Sequence, residues 1–351
     1  MTSLEQELRE QPEVVARLLD ATWPRLPELR EALLGSAPDG VVLVARGSSD
    51  NAARYAQYLW GLRLGIPVTL ATPSLASVYG RRLDLARHAV VAVSQSGASP
   101  DVVGVVEQAR ASGAPTLAVT NDTGSPLASA AEHVLDLGAG PERSVAATKT
   151  YTASLLAVAL LGVALGEQRH RDQDHADLER VPDAMRAAID NTHGVSEAVR
   201  LVEPHHRAVC VGRGLNLATA HETALKLTEL TGTLVAPYSP ADLMHGPVAA
   251  VGPEVPVVAL APDEPASASV LDIVSELRRR GAPVLVVSPE GATSGCVGTS
   301  RVTLPAAAAV ADWLTPLVTV VAGQLLAWRL AQARGVDVDR PGELSKVTRT
   351  R

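Results

Sequence analysis

A chain of 351 residues is long for one small core and comfortable for two domains, and 46% apolar with 20% charged residues is the composition of a folded protein. The net charge of −7 argues against nucleic acid or an anionic membrane as the main partner, because neither is attracted over long range. No basic segment followed by an apolar run opens the sequence, and the longest apolar stretch, 155–165, is too short to span a bilayer, so the expectation is a soluble, cytoplasmic chain.

Residues 4–34 read as helical with a break at Pro24. Short β-branched runs then alternate with longer helical patterns, the signature of a parallel sheet covered by helices. The first set of strands falls at 41–45, 67–71, 89–94, 115–120 and 133–137, with helices starting near Asn51, Pro100 and Ser125 and a long apolar one near Thr148. A charged helical stretch over 170–202 follows. The second set has strands at 207–212, 255–260, 283–288 and 301–304, with helices at 217–230, 266–280 and 310–333. Residues 335–351 lack an apolar period and read as a tail.

The two sets open alike, Val-Val-Leu-Val-Ala-Arg-Gly-Ser at 41–48 and Ala-Val-Cys-Val-Gly-Arg-Gly-Leu at 208–215, which suggests a duplicated unit. The expected organisation is an N-terminal helical segment (1–35), a first α/β domain (36–167), a helical linker (168–203), a second α/β domain (204–334) and a C-terminal tail (335–351). Cys210 and Cys296 have no metal-ligand spacing, and Cys210 reads as a structural thiol in a buried strand. Neither a metal site nor a cofactor is expected. Only three lysines occur, Lys149, Lys226 and Lys346; every other basic residue is arginine. Codon bias explains that plainly, but lysine can lose its proton or form a Schiff base where arginine cannot.

The strongest local signal is the strand end Val91-Ala-Val-Ser94-Gln95-Ser96-Gly97-Ala98-Ser99, directly ahead of a helix. Open α/β sheets bind ligands at the carboxyl ends of their strands, and a helix N-terminus offers unpaired N–H groups to an anion. Hydroxyls from Ser94, Ser96 and Ser99, the Gln95 amide, and the Gly47-Ser48-Ser49 loop suit a phosphate; an ordinary serine-capped turn explains the same residues equally well. The matching loop of the second set, Leu260-Ala-Pro-Asp-Glu264, is acidic and would repel phosphate. Farther on, Glu222, Lys226 and Glu229 are spaced to share one helix face, and His245 follows in a turn limited by Gly246 and Pro247. A solvated charged stripe and an inert loop histidine are the plainer readings of these two.

Ser94-Gln95-Ser96-Gly97, Gly47-Ser48-Ser49 and Val145-Ala-Ala-Thr-Lys149 together resemble the double sugar-isomerase (SIS) family, and most closely the isomerase half of glutamine–fructose-6-phosphate aminotransferase. The resemblance covers nearly the whole chain. It implies an α/β fold of two tandem SIS domains, each a parallel-sheet three-layer sandwich, with an N-terminal helix and a C-terminal active-site tail. It further implies that Ser49, Ser94, Gln95, Ser96 and Ser99 hold a sugar 6-phosphate and that the Val145 backbone touches the sugar. Glu229 is implied to shuttle a proton between C1 and C2, with Lys226 and Glu222 beside it. His245 is implied to assist ring opening from the neighbouring subunit of a homodimer. The tail from Asp337 through Asp339-Arg340-Pro341 to Lys346 is similar to the family's, which implies that Lys346 is the amine that captures a ketose as a Schiff base.

Departures flank the sugar: Arg143-Ser144 stands for an Ile-Gly-like pair, Met244 for a lysine, and Ser345 for an alanine. No glutaminase half with its nucleophilic cysteine is visible, so the expected reaction is one that an isomerase half performs alone. An isomerase/deaminase on an amino sugar 6-phosphate is the leading reading. Dehydration of N-acetylglucosamine 6-phosphate through the same enolate, a deglycase on sugar–amino-acid 6-phosphates, and a non-catalytic phosphosugar sensor are the alternatives.

Overall fold

The computed structural model describes residues 1–190, 193–289, 299–304, 310–344 and 346, so Cys296 and Ser345 lie outside the described residues. The chain divides into two units. One comprises Glu13–Glu142, Lys149–Glu179 and Ser345–Arg351; the other comprises Met1–Pro12, Arg143–Thr148 and Arg180–Leu344.

In the unit that begins at Glu13, β1 (Gly40–Val44), β2 (Val68–Leu70), β3 (His88–Ser94), β4 (Thr116–Thr120) and β5 (His133–Asp136) form one sheet in the order β2-β1-β3-β4-β5, every pair parallel. A parallel sheet is covered on both faces, and its strands are accordingly apolar throughout rather than alternating. Val42, Val44, Val90 and Ala92 point to one face, against Val102, Val105 and Val106 of the helix Pro100–Ala111. The helix Lys149–Leu165, buried at every residue, packs with Gly47–Leu64 and Leu26–Leu34. Trp60 donates its indole N–H to the Val158 carbonyl at 2.9 Å. Its long apolar run is therefore the core helix of this unit.

In the other unit, β6 (Arg207–Val211), β7 (Leu234–Tyr238), β8 (Val257–Leu260), β9 (Val284–Pro289) and β10 (Ser300–Leu304) form a second all-parallel sheet in the order β10-β9-β8-β6-β7. Counted from its own first strand, this is the order of the first sheet, so the likeness read from the two openings extends to the topology. Both units are three-layer α/β structures. β7 is a strand the sequence reading missed, because Pro237 inside it argues against a strand. Its place at the sheet edge is where a missing ladder N–H is tolerated. The helix expected over 266–280 is broken into Ser267–Asp272 and Val274–Arg279.

The helix Thr315–Ala333 forms the centre of this unit. The segment Asp312–Ala333 is long and apolar enough to cross a membrane, yet 94% of its apolar window is buried inside the fold. It crosses Leu217–Thr231 closely: a methyl group on Gly323 would sit 2.2 Å from Thr223 Oγ1. Cys210 is buried on β6, and burial pushes its thiol up, away from thiolate chemistry.

Candidate functional site

In both sheets the strand order reverses between the first and third strands of the repeat, and the loops leaving these two strands are where open α/β folds bind ligands. In the first sheet these are the loops after β1 and β3. After β1, Arg46 leads into the helix Gly47–Leu64 and places Ser48 and Ser49 in its first turn. After β3, Ser94 Oγ accepts from the Gly97 amide at 3.1 Å and Ser96 Oγ from the Ala98 amide at 3.3 Å. A hydroxyl that accepts in this way keeps its own proton to donate outward. Ser99 is the N-cap of Pro100–Ala111 but makes no capping bond with its side chain. Gln95 is half-buried beside it. Two helix N-termini, with their dipoles, thus adjoin five hydroxyls and an amide.

The sequence reading overlooked what ties the two loops together. Asp101, 1% exposed in its side chain, accepts Nε and Nη2 of Arg46, both at 2.7 Å. The pair brings a cation to the mouth of the cradle and fixes one loop to the other. Only the repeated Arg-Gly pair hinted at it. Gly97 has φ +57, and a methyl there would lie 2.1 Å from the buried Ser125 Oγ. Gly97→Ala is expected to lose about 1–3 kcal/mol of stability and to weaken binding of a sugar 6-phosphate. Thermal unfolding and calorimetric titration check this; an alanine variant equal to wild type in both would refute the cradle's geometry.

The corresponding loops of the second sheet follow β6 and β8, and they present a carboxylate where the first sheet presents hydroxyls. Glu264 Oε1 accepts from Asn216 Nδ2 at 2.9 Å, and the buried Asn216 also donates to Thr315 Oγ1 at 2.8 Å. Burial pushes the Glu264 carboxyl up to about 7, against the Asn216 hydrogen bonds that lower it and with a contribution from the Asp312 charge. The folded protein therefore holds a proton that the unfolded chain, at about 4.5, has released. This group's contribution to stability falls as pH rises between those values, by up to about 3 kcal/mol before allowance for its partial exposure. Urea denaturation at pH 5 and pH 8 is expected to show that decline in wild type and a smaller one in Glu264→Gln. Equal declines would refute the assignment.

The helix Leu217–Thr231 carries Glu222, Lys226 and Glu229 on one face. Lys226 Nζ lies 3.6 Å from Glu222 Oε1 and donates directly to Glu229 Oε2. Lys226 and Glu222 are sealed, at 1% and 0% side-chain exposure, whereas Glu229 keeps 26%. This burial sets them apart from a solvated stripe. His245 is exposed at the carboxyl end of the short helix Pro240–Met244, which Ser239 caps by accepting from the Asp242 amide.

Val145 lies half-buried in the segment Arg143–Thr148. That segment is held by Glu7, a buried residue of the helix Ser3–Thr22, which accepts from the Arg143 amide, from the Ser144 amide at 3.2 Å and from the Ser144 hydroxyl. The same helix begins on the tail: Asp339 accepts the Ser3 and Leu4 amides at 2.9 and 3.1 Å. Asp339, in the segment read as a tail, therefore caps a helix. Lys346 donates to the buried Glu142. Glu7 and Asp339 stand in segments that resemble the family, but their partners are not readable from motif or spacing, and Glu142 is announced by neither.

The cradle residues and Lys346 belong to one unit, and Val145, the trio and His245 belong to the other. The SIS domain family matches residues 36–164 and 201–330. The glutamine–fructose-6-phosphate aminotransferase of Symbiobacterium thermophilum is 38% identical over 315 residues, 87% of this chain and 51% of that one. That of Methanothermobacter thermautotrophicus is 34% identical over 97% of this chain and 56% of its own. The chain thus spans about half the length of these curated relatives. Among solved structures, a phosphosugar-isomerase candidate from Silicibacter pomeroyi DSS-3 is 35% identical, with a TM-score of 0.86 over 97% of this chain and 100% of that one. Glucosamine-6-phosphate deaminase of Thermotoga maritima, 21% identical with a TM-score of 0.76, covers 99% of this chain and all of that one and shares the fold. This chain belongs to the SIS family, with two SIS domains homologous to the isomerase domain of glutamine–fructose-6-phosphate aminotransferase.

Proposed function

We propose that this chain is a phosphosugar enzyme of the isomerase/deaminase type, acting on glucosamine 6-phosphate or a close relative by proton abstraction at C2. The observation that carries the reading is the difference in exposure within the trio. Only Glu229 offers a carboxylate to a substrate, while Lys226 and Glu222 lie sealed behind it. A general base must come within hydrogen-bond reach of the proton it removes. Lys226 holds the Glu229 carboxylate in one orientation, and Glu222 neutralises the ammonium from the other side.

In this proposal Ser49, Ser94, Gln95, Ser96 and Ser99 bind the 6-phosphate with neutral donors, and Val145 positions the sugar. His245, supplied by the second subunit of a homodimer, assists ring opening. With the chain open, Glu229 removes the C2 proton to give an enediol or enolamine and returns it at C1, and the ketimine that forms at C2 hydrolyses to ammonia and fructose 6-phosphate. Lys346 captures the ketose. The name of the relatives, isomerizing glutamine–fructose-6-phosphate aminotransferase, supports this class, and a structure that shares the fold is a glucosamine-6-phosphate deaminase.

Arg143, Ser144, Met244 and Ser345, which depart from the family pattern, make a second fate of the same intermediate worth testing. If C2 bears an acetamide that cannot leave as ammonia, the enolate expels the C3 hydroxyl as water. Proton NMR in D₂O with glucosamine 6-phosphate and, separately, its N-acetyl derivative tests both. Loss of the C2–H signal with fructose 6-phosphate appearing supports the deaminase, and an olefinic product from the N-acetyl sugar supports the dehydratase. Binding without exchange on either refutes both and leaves a deglycase substrate or a sensor.

A further inference from the structure

The carboxylate of Glu142 is completely buried, at 0% side-chain exposure, and follows Gly140 and Pro141 just ahead of the Arg143–Thr148 segment. Two of its donors come from the first turn of the helix Lys149–Leu165: the Thr150 amide at 3.1 Å and the Thr150 hydroxyl at 2.7 Å. A third comes from 204 residues away, the ammonium of Lys346. Helix capping by itself calls for no buried charge, since a serine or asparagine would serve. A sealed carboxylate is costly unless paired, and here a cation is drawn from the chain's end to one of its oxygens.

Lys346 is suited to more than neutralisation. Of the three lysines, Lys149 and Lys226 are buried at 4% and 1%, whereas the Lys346 side chain keeps 23% exposure. Its amine is thus held by Glu142 on a side chain that keeps partial exposure. Arginine, which this sequence uses for nearly all other cations, would make the same ion pair but cannot become a neutral nucleophile.

We propose that Glu142 is a positioning residue for Lys346, holding the amine for attack on a ketose 6-phosphate and carrying the proton that the attack must shed. The inference rests on the amine-capture step of the function proposed above. Its balance is simple. The Lys346 ammonium passes a proton to Glu142, and the freed lone pair forms the N–C2 bond as the carbonyl π bond opens. The oxygen takes a second proton from the nitrogen to give the carbinolamine, and Glu142 returns its own proton to that hydroxyl, which leaves as water, giving a protonated imine and restoring the carboxylate. No other reactant is consumed. The role is distinct from that of Glu229, which moves the proton on carbon.

Three lysines make the test unusually clean. Full-length wild type, Glu142→Gln and Glu142→Asp would be pulsed with acetic anhydride, and acetylation of each lysine read by mass spectrometry. In parallel, each protein with fructose 6-phosphate would be reduced with borohydride and the adduct mapped. Thermal unfolding would identify any variant that fails to fold, and the aspartate variant keeps the charge if the glutamine variant does not fold. Glu142→Gln is expected to expose Lys346 to acetylation about fivefold faster. Its trapped adduct is expected to fall about tenfold or more, with partial rescue in Glu142→Asp. A merely structural cap would raise labelling without lowering trapping, and that result overturns the proposal, as does unchanged labelling. If wild type itself traps nothing at Lys346, the capture step falls and this inference with it. Exchange at C2 would still report separately on Glu229.

Discussion

Replacing Glu229 by glutamine is expected to lower turnover by roughly 10²–10⁴-fold, the contribution typical of a positioned general base, while phosphosugar binding stays near wild type. The amide has the carboxylate's shape and can still meet the Lys226 ammonium through its oxygen, so the helix face keeps its packing. What it cannot do is accept a proton from carbon. In the proposed function binding survives, because the groups assigned to the 6-phosphate lie on the loops after β1 and β3, whose residues are unchanged. Steady-state kinetics beside calorimetry on the same preparation separates the two. A drop confined to kcat supports the role; a parallel loss of affinity assigns Glu229 to binding, and unchanged turnover removes it from the mechanism.

Reading the sequence reached the sheets and both groups of candidate residues because each leaves a local trace. A buried parallel strand is a short β-branched run, and an anion loop is a cluster of small polar residues between strand and helix. Among the described residues, nine of the ten strands were anticipated within two residues at each end. β7 escaped because its proline contradicts the local rule, and only the sheet order shows that it sits at an edge. The misses at the site share one physical cause. Arg46–Asp101, Glu7–Ser144 and Lys346–Glu142 join residues 55, 137 and 204 positions apart, and no periodicity relates them. The sequence marks which residue type does chemistry more clearly than which buried partner holds it in place. The trio shows the reverse limit: spacing placed Glu222, Lys226 and Glu229 on one face, but a solvated stripe has the same spacing. Burial tells the two apart, and it depends on the elements packed around the helix Leu217–Thr231, the helix Thr315–Ala333 among them.

That burial makes Lys226→Met the substitution with the largest expected effect on stability. Lys226 is 1% exposed and Glu222 is not exposed at all, so removing the ammonium leaves a sealed carboxylate without the cation 3.6 Å from its oxygen. Breaking a buried pair from one side costs about 3–5 kcal/mol, a large share of the stability of an ordinary domain. Methionine fills a similar volume, which keeps cavity formation out of the comparison. The double variant Glu222→Leu with Lys226→Met removes both charges and is expected to recover most of the loss, because paired desolvation is then avoided on both sides. Activity should not recover with it. Glu229 would still lack the ammonium that orients its carboxylate, so turnover is expected to stay down by about tenfold or more in the stable double variant. Urea denaturation and the C2–H exchange assay on the three proteins separate these effects. If the double variant regained turnover along with stability, Lys226 would be a packing residue and the orientation of Glu229 would have another source. If the single variant lost less than about 1 kcal/mol, the trio would be energetically an exposed stripe after all.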